Sequence, residues 1–456
     1  MRTKERFFSK DRQFYKTLFK MLLIVALQNL IAYSVNMVDN IMLGRYSQEA
    51  LSGAATINQI FFLVEQFALS VGNALVVLCA QYWGKSNVPA IRKLAGIALR
   101  LGIICSLVIT FICAAFPQRV IAIFTSDSDI AAQAGIYLSY IQITFILFML
   151  SSVIMAALRS AGIVKISFYT SLVSLGINIV LDYFLIYGIA PFPEMGIRGA
   201  AIATVISRVI ELAVVLIYSI KIDKKLVLFK KELFIPDKEL RADYTKVYLP
   251  IMASQVLWGV SVPMQTAILG HLSADAIAAN SVATTFYQYL KVVVISMSSV
   301  SAVLIGNAIG QGDDKKVRSK ARSLSVIDII IGCIMALILA VLSKPLLSLY
   351  TLNPSAEVMA YHLMIIMCVV MVGMSYQMPV SFGIIQGAGN TSFTMKMNLI
   401  STWCIVMPLS FMSAFWWKMP VEIVVIFIQS DQLFKCIPTF IKFRRYDWIR
   451  HLTREE

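Results

Sequence analysis

Charge is what this chain has least of. Only 14% of its 456 residues are Asp, Glu, Lys or Arg, against 59% apolar, whereas an ordinary soluble domain carries about a quarter charged residues. That excludes a water-soluble enzyme. Histidine is scarcer still, with His271, His362 and His451 alone and none at ligand spacing, which argues against zinc hydrolase chemistry. No acid-rich DDxxD-type cluster marks a membrane prenyltransferase. The nearest approach to a phosphate-binding loop is Gly84-Lys85-Ser86, where Cys79 stands in place of the leading glycine and no strand or Walker B acid accompanies it. The seven cysteines, Cys79 to Cys436, all sit inside apolar runs and read as buried thiols rather than bridges or ligands.

What the chain does have is long apolar blocks. About 20 apolar residues suffice to cross a bilayer as a helix, and twelve such blocks occur, near 17–43, 51–80, 94–116, 131–157, 163–188, 197–219, 245–270, 277–305, 321–346, 356–384, 393–417 and 420–441. They are solid rather than alternating, which excludes a membrane β-barrel. The expected class is therefore an all-α integral membrane protein. Its basic residues gather at both ends (Arg2 to Lys16, Lys442 to Arg454) and in the even-numbered connections, such as Lys221 to Arg241. Under the positive-inside rule both termini face the cytoplasm, in a multi-pass protein of the inner (plasma) membrane. The net charge of +15 is then topogenic, and a nucleic-acid partner is not expected. The first block follows a basic segment without an A-x-A cleavage site and reads as an uncleaved span.

Sliding the chain against itself by 226 residues aligns Leu43-Gly44 with Leu269-Gly270, Ser47 with Ser273, Ala50 with Ala276, Ser70 with Ser296, Gly84 with Gly310 and Arg92 with Arg318. One residue later in phase, Arg159-Ser160-Ala161-Gly162 falls on Gln386-Gly387-Ala388-Gly389. Two homologous six-helix lobes follow, 1–219 and 245–456, joined by a basic cytoplasmic connection over 220–244. Six spans is an even number, so the repeat is parallel. Two such lobes around a central cleft suit alternating access. A transporter is expected, and a duplicated scaffold without transport is the alternative.

With no nucleotide site, the energy source is an ion gradient, which needs polar groups inside the spans. At about 1.5 Å per residue, Asp39, Asp182 and Thr204 lie at one depth, about 7 to 10 Å from the outer ends of spans one, five and six. Asn178 and Asn36 precede the two acids by about one turn. Two carboxylates, an amide and a hydroxyl at one level suit a hard cation such as sodium, or a shared proton. The plainer alternative is a polar network that only ties the three spans together. Glu65 and Lys291 occupy equivalent repeat positions and are candidates to pair across the cleft. Arg208 with Glu211, and Asp431 with Lys435, have the spacing of intrahelical ion pairs. Glu65, Lys291, Arg208 and Asn36 are kept as supporting or gating candidates. The 22 methionines fit a cleft adaptable to varied ligands, although lipid-facing packing accounts for most of them.

Three stretches carry a resemblance: Val38-Asp39-Asn40-Ile41-Met42-Leu43-Gly44-Arg45; Asn178-Ile179-Val180-Leu181-Asp182 continuing to Gly199-Ala200-Ala201-Ile202-Ala203-Thr204; and the paired Leu158-Arg159-Ser160-Ala161-Gly162 and Gln386-Gly387-Ala388-Gly389-Asn390-Thr391. With the six-plus-six repeat, nearly the whole chain resembles the multidrug and toxic compound extrusion family. The resemblance implies export of cationic, amphipathic organic compounds in exchange for inward H+ or Na+, without a resident cofactor and by a monomer. It maps the coupling site onto Asp39, Asn178, Asp182 and Thr204, which would be the ligands if the ion is Na+. There are departures. The first span, from Lys20 to Asp39, lacks the proline that many relatives carry, while the seventh keeps Pro250. Another branch has acids in spans seven and ten, where this chain has Gln255 and Trp258, then Ser375 and Gln377. A lipid-linked saccharide flippase of the same superfamily is a further alternative, although such proteins usually have extra spans or a strongly cationic cleft.

Overall fold

The structure, a computed structural model, describes residues 8–125, 127–272, 274–348 and 353–454. Arg2, Lys4 and Arg6 of the N-terminal basic cluster, and Ser273 of the repeat, lie outside them. The described residues are almost wholly helical and contain no strand. Among them twelve helices are long and apolar enough to cross a bilayer. In the first half these are Arg12–Tyr46, Gln48–Gly84, Val88–Ala115, Ile143–Ser160, Lys165–Tyr187 and Ile197–Ile222. In the second half they are Lys238–Leu269, Ala278–Gly310, Asp314–Leu347, Pro354–Ile385, Thr391–Trp416 and Val421–Arg445. A chain in lipid must satisfy every backbone donor within the segment itself, and long helices do so. Several helices outrun their apolar blocks, because polar turns continue the same hydrogen-bond ladder into water.

Two expected spans are broken, the block over 420–441 into Val421–Gln429, Asp431–Phe434 and Cys436–Arg445. The block over 131–157 is two helices, Ser128–Ile141 and Ile143–Ser160, meeting at Gln142. The Asp127 carboxylate starts the first by accepting from the Asp129 and Ile130 amides at 2.9 and 3.1 Å. At the junction the Thr144 hydroxyl donates to the Ile141 carbonyl at 2.6 Å, and such hydroxyl back-bonding loosens a helical ladder.

The chain separates into two compact units. One holds Leu27–Cys79 and Asn87–Tyr248; the other holds the stretch up to Ala26, Ala80–Ser86 and everything from Leu249 onward. Besides placing Ala80–Ser86 in the second unit, the division differs from the expected 1–219, 220–244 and 245–456 in two respects. First, the start of the first helix packs with the second unit. There Ser323 Oγ accepts from the Ser9 amide and the Tyr15 hydroxyl, each at 3.0 Å, and Lys320 lies 3.7 Å from Asp11. Second, the 220–244 connection belongs to the first unit rather than lying free. Arg92 donates to the Leu226 carbonyl at 3.0 Å and pairs with Glu232, Arg100 donates to the Phe234 carbonyl at 2.6 Å, and Leu226, Leu228 and Leu233 are buried.

The repeat reappears in the backbone of each unit. Gly162 and Gly389 both adopt left-handed φ angles, +73° and +96°. Each closes its helix with the same paired bonds, Ile163 N–H to Leu158 O at 3.0 Å and Asn390 N–H to Ile385 O at 3.1 Å. Only glycine takes that conformation without strain. The methionines answer differently from expectation in the second unit. Met364, Met367, Met371 and Met374 form one stripe of the tenth helix inside the packed core. Lipid-facing stripes are built instead from branched aliphatics, such as Ile330, Ile334, Leu337 and Val341 of the ninth helix, all exposed.

The seventh helix begins on an acidic cap. Asp237 accepts from the Glu239 and Leu240 amides at 3.1 and 3.0 Å, and Lys93 reaches it at 3.2 Å. The Leu240 amide first, and then Lys93, hold its carboxyl below the ordinary 3.8. A depressed folded-state pKa means this stabilisation is present above the unfolded value and is lost as pH falls through the folded one. Asp237→Ala is expected to cost about 1 kcal/mol, the usual worth of such a cap. Thermal unfolding in detergent at pH 7 and again below pH 3 checks this, since the difference between the two proteins should shrink in acid.

Candidate cation site

The first unit brings together side chains from four parts of its sequence. Asp39 comes from the first helix, Asn178 and Asp182 from the fifth, Thr204 from the sixth, and Tyr137 from the helix Ser128–Ile141. Asp182 is 0% exposed and Asn178 1%. The fifth helix turns a polar face inward because Thr170, Ser174, Asn178 and Asp182 recur every four residues, and all four are buried. The sixth can approach closely through Gly199, where a Cβ would meet the Leu185 backbone of the fifth.

Asp39 and Asp182 lie in direct side-chain contact. Both are acceptors when ionised, so their contact becomes a hydrogen bond only if a proton is shared. Among the described residues, Asp182 Oδ1 and Oδ2, Asp39 Oδ1 and both amide atoms of Asn178 are buried without a hydrogen-bond partner. Thr204 is less available, its hydroxyl donating to the Ala200 carbonyl at 3.0 Å. Tyr137 was not foreseen. Its phenol sits within hydrogen-bond reach of Thr204 and in the fields of Asp39 and Asp182. It escaped notice because a lone tyrosine in an apolar block looks like core, and its segment was read as the start of one continuous span.

Arg208 is one turn beyond Thr204 and is held by Glu211 at 2.7 Å, as the i,i+3 spacing predicts. Glu211 also accepts from Ser151 at 3.2 Å, and the guanidinium rests on Phe148 and Phe61 at 5.0 and 5.7 Å from the ring centroids. Its charge is felt by both Asp39 and Glu65. The Asn36 side chain lies outside the described residues. In the second unit Lys291 lies in the field of Asp431, and Asp431 is bonded to Lys435 at 2.7 Å. Glu65 and Lys291 therefore each have a counter-charge in their own unit.

The MatE family model matches residues 25–184 and 250–412, both halves of the repeat. The chain belongs to this family of multidrug and toxic compound extrusion (MATE) transporters. A probable multidrug resistance protein NorM of Thermotoga maritima is 26% identical over 450 residues, 96% of this chain and 95% of that one. Among solved structures, the Vibrio cholerae MATE transporter VcmN in its bent form matches with a TM-score of 0.84 at 18% identity, over 95% of this chain and 97% of that one. A MOP superfamily transporter from Pyrococcus furiosus, described by a reversed polarity of its binding pocket that suggests a different function, matches at 0.86 and 18%, covering 97% and 99%. At such identities the structural matches speak for the fold. This MATE protein is thus a multi-pass membrane transporter built from the six-plus-six helical fold.

Proposed function

We propose that this MATE protein is a secondary active antiporter, exporting organic, amphipathic and mainly cationic compounds from the cytoplasm in exchange for inward H+ or Na+. The observation that carries the reading is the pairing of Asp39 with Asp182, in which Asp39 Oδ1 and both Asp182 oxygens are buried without a hydrogen-bond partner. Two carboxylates held together away from water repel if both are ionised, and Arg208, whose field reaches Asp39, is already paired with Glu211. A proton shared between them, or a sodium ion held by their oxygens and that of Asn178, resolves the repulsion. Loading and unloading then changes the net charge of the pocket and favours one packing of the surrounding helices over another, a bias that an exporter converts into alternating access. The reading extends to an inner-membrane location with both termini cytoplasmic and to a working monomer. The flippase alternative gains nothing from the site, since the cation beside it, Arg208, is already held by Glu211.

The test is efflux of an ethidium-like dye from reconstituted proteoliposomes, with pH and sodium gradients imposed separately. One of the two gradients should drive efflux, and its collapse should return dye movement to the protein-free rate. Efflux that persists with both gradients collapsed and ATP retained would sink the reading.

A further inference from the structure

The second unit contains a carboxyl group that neither the repeat nor the family site accounts for. Asp328, on the ninth helix, is 1% exposed, and neither of its carboxylate oxygens has a hydrogen-bond partner. It stands about 9 Å along the helix beyond Arg322, at 1.5 Å per residue, within the membrane-spanning stretch. Its face is turned to the tenth helix. One turn on, Gly332 lies so close to Ser375 that a Cβ there would overlap that side chain. The next residue, Tyr376, lies in the field of Asp328, and its phenolic oxygen is also buried without a partner.

Among the described residues, no charged side chain is bonded to Asp328. From the twelfth helix, Cys436 and Arg444 act on Tyr376, whereas neither Asp328 oxygen has a hydrogen-bond partner. On the eighth helix, Lys291 is set toward Asp431. Asp431 shows the contrast, bonded at 2.7 Å to Lys435 and at 2.8 Å to Gln432. A carboxyl that is buried, uncapped and unpaired within a span must be neutralised from outside the protein, because an isolated charge there is costly.

We propose that Asp328 and the Tyr376 hydroxyl form a second monovalent-cation site, taking up and releasing H+ or Na+ in the second six-helix unit. A carboxyl and a phenol oxygen, both buried without a partner, suit a proton or a small hard cation. The site has no counterpart in the first unit, since the 226-residue offset sets Asp328 opposite Gly102. It stands on the geometry of Asp328 and does not depend on the exporter reading.

Infrared difference spectroscopy of the purified full chain tests it without any transport substrate. Asp39→Asn/Asp182→Asn serves as the background, so that the first site is silent. One arm steps the pH in sodium-free choline buffer; the other adds sodium at fixed pH. A carboxyl C=O signal should be lost in the pH arm if the ligand is a proton, or should change on sodium addition if it is Na+. Asp328→Asn should remove that signal and Tyr376→Phe should displace its midpoint. Absence of any carboxyl signal in both arms, or spectra unchanged by Asp328→Asn, would overturn the proposal. Should Asp328→Asn fail to fold by its thermal transition, Asp328→Glu decides: the signal moves in frequency if the site is real and stays unchanged if it is not.

Discussion

Asp39→Asn and Asp182→Asn should each abolish gradient-driven efflux while leaving folded protein in the membrane. The two carboxyls lie within hydrogen-bond reach of one another, and Asp39 Oδ1 and both Asp182 oxygens are buried without a partner, so ion exchange there depends on both being acids. Asparagine keeps the volume, donates a hydrogen bond to the remaining carboxylate and removes the repulsion that makes the pocket respond to a proton or sodium ion. The helices then lose their reason to change packing with the gradient. Site-to-site coupling in proteins typically amounts to about 1–3 kcal/mol, so the gradient's effect on efflux should fall by roughly 5- to 150-fold. Asp431→Asn serves as the comparison, because that carboxylate is already bonded to Lys435 and Gln432. It should leave gradient coupling largely intact at some cost in stability, since it unpairs a buried lysine. Dye efflux from proteoliposomes carrying each variant, with thermal unfolding to confirm folding, decides the matter. Full coupling in Asp39→Asn, or a loss confined to Asp431→Asn, would place the site in the wrong half of the molecule.

Gly310→Val should be a severely damaging packing change. The repeat aligns Ala80, Gln81 and Gly84 with Gly306, Asn307 and Gly310, and the structure presses these same residues together within the second unit. A Cβ on Gly84 would run into the Asn307 carbonyl and lie 2.9 Å from the Gly310 Cα, while one on Gly310 would run into the Gln81 carbonyl and lie 2.9 Å from the Gly84 Cα. One on Gly306 would come within 2.6 Å of the Ala80 methyl. Small residues four apart let helix backbones touch in membranes. The obstructing atoms here are largely backbone, so they cannot swing aside. Overpacking costs about 1–3 kcal/mol even where side chains can adjust, and Gly310→Val should reach or exceed the top of that range. Gly176→Ala is the control. It lies within the fifth helix with nothing within 4 Å of its added Cβ, so helix propensity alone applies and favours alanine by up to about 1 kcal/mol. Melting temperatures in detergent should fall sharply for the first variant and hold or rise for the second. Equal melting would remove the crossing from the account.

The apolar blocks, the 226-residue repeat and the grouping of Asp39, Asp182 and Thr204 were all readable from the sequence alone. In lipid the backbone leaves little choice but helix, so block length and count translate directly into spans, and rise per residue translates into depth. The sequence is silent on how each helix is rotated about its axis. When a helix is apolar on most sides, its periodicity does not say which side meets protein and which meets lipid. Rotation and packing decided that Asp39 and Asp182 touch rather than merely share a level, that Tyr137 joins them, and that the methionine stripe of the tenth helix fills the core. They also decided which intramembrane acids are satisfied. Asp431 and Lys435 could be paired from spacing alone, because both lie on one helix. Whether Asp328 had a partner depended on neighbouring helices, and only the tertiary structure left both of its buried oxygens without one.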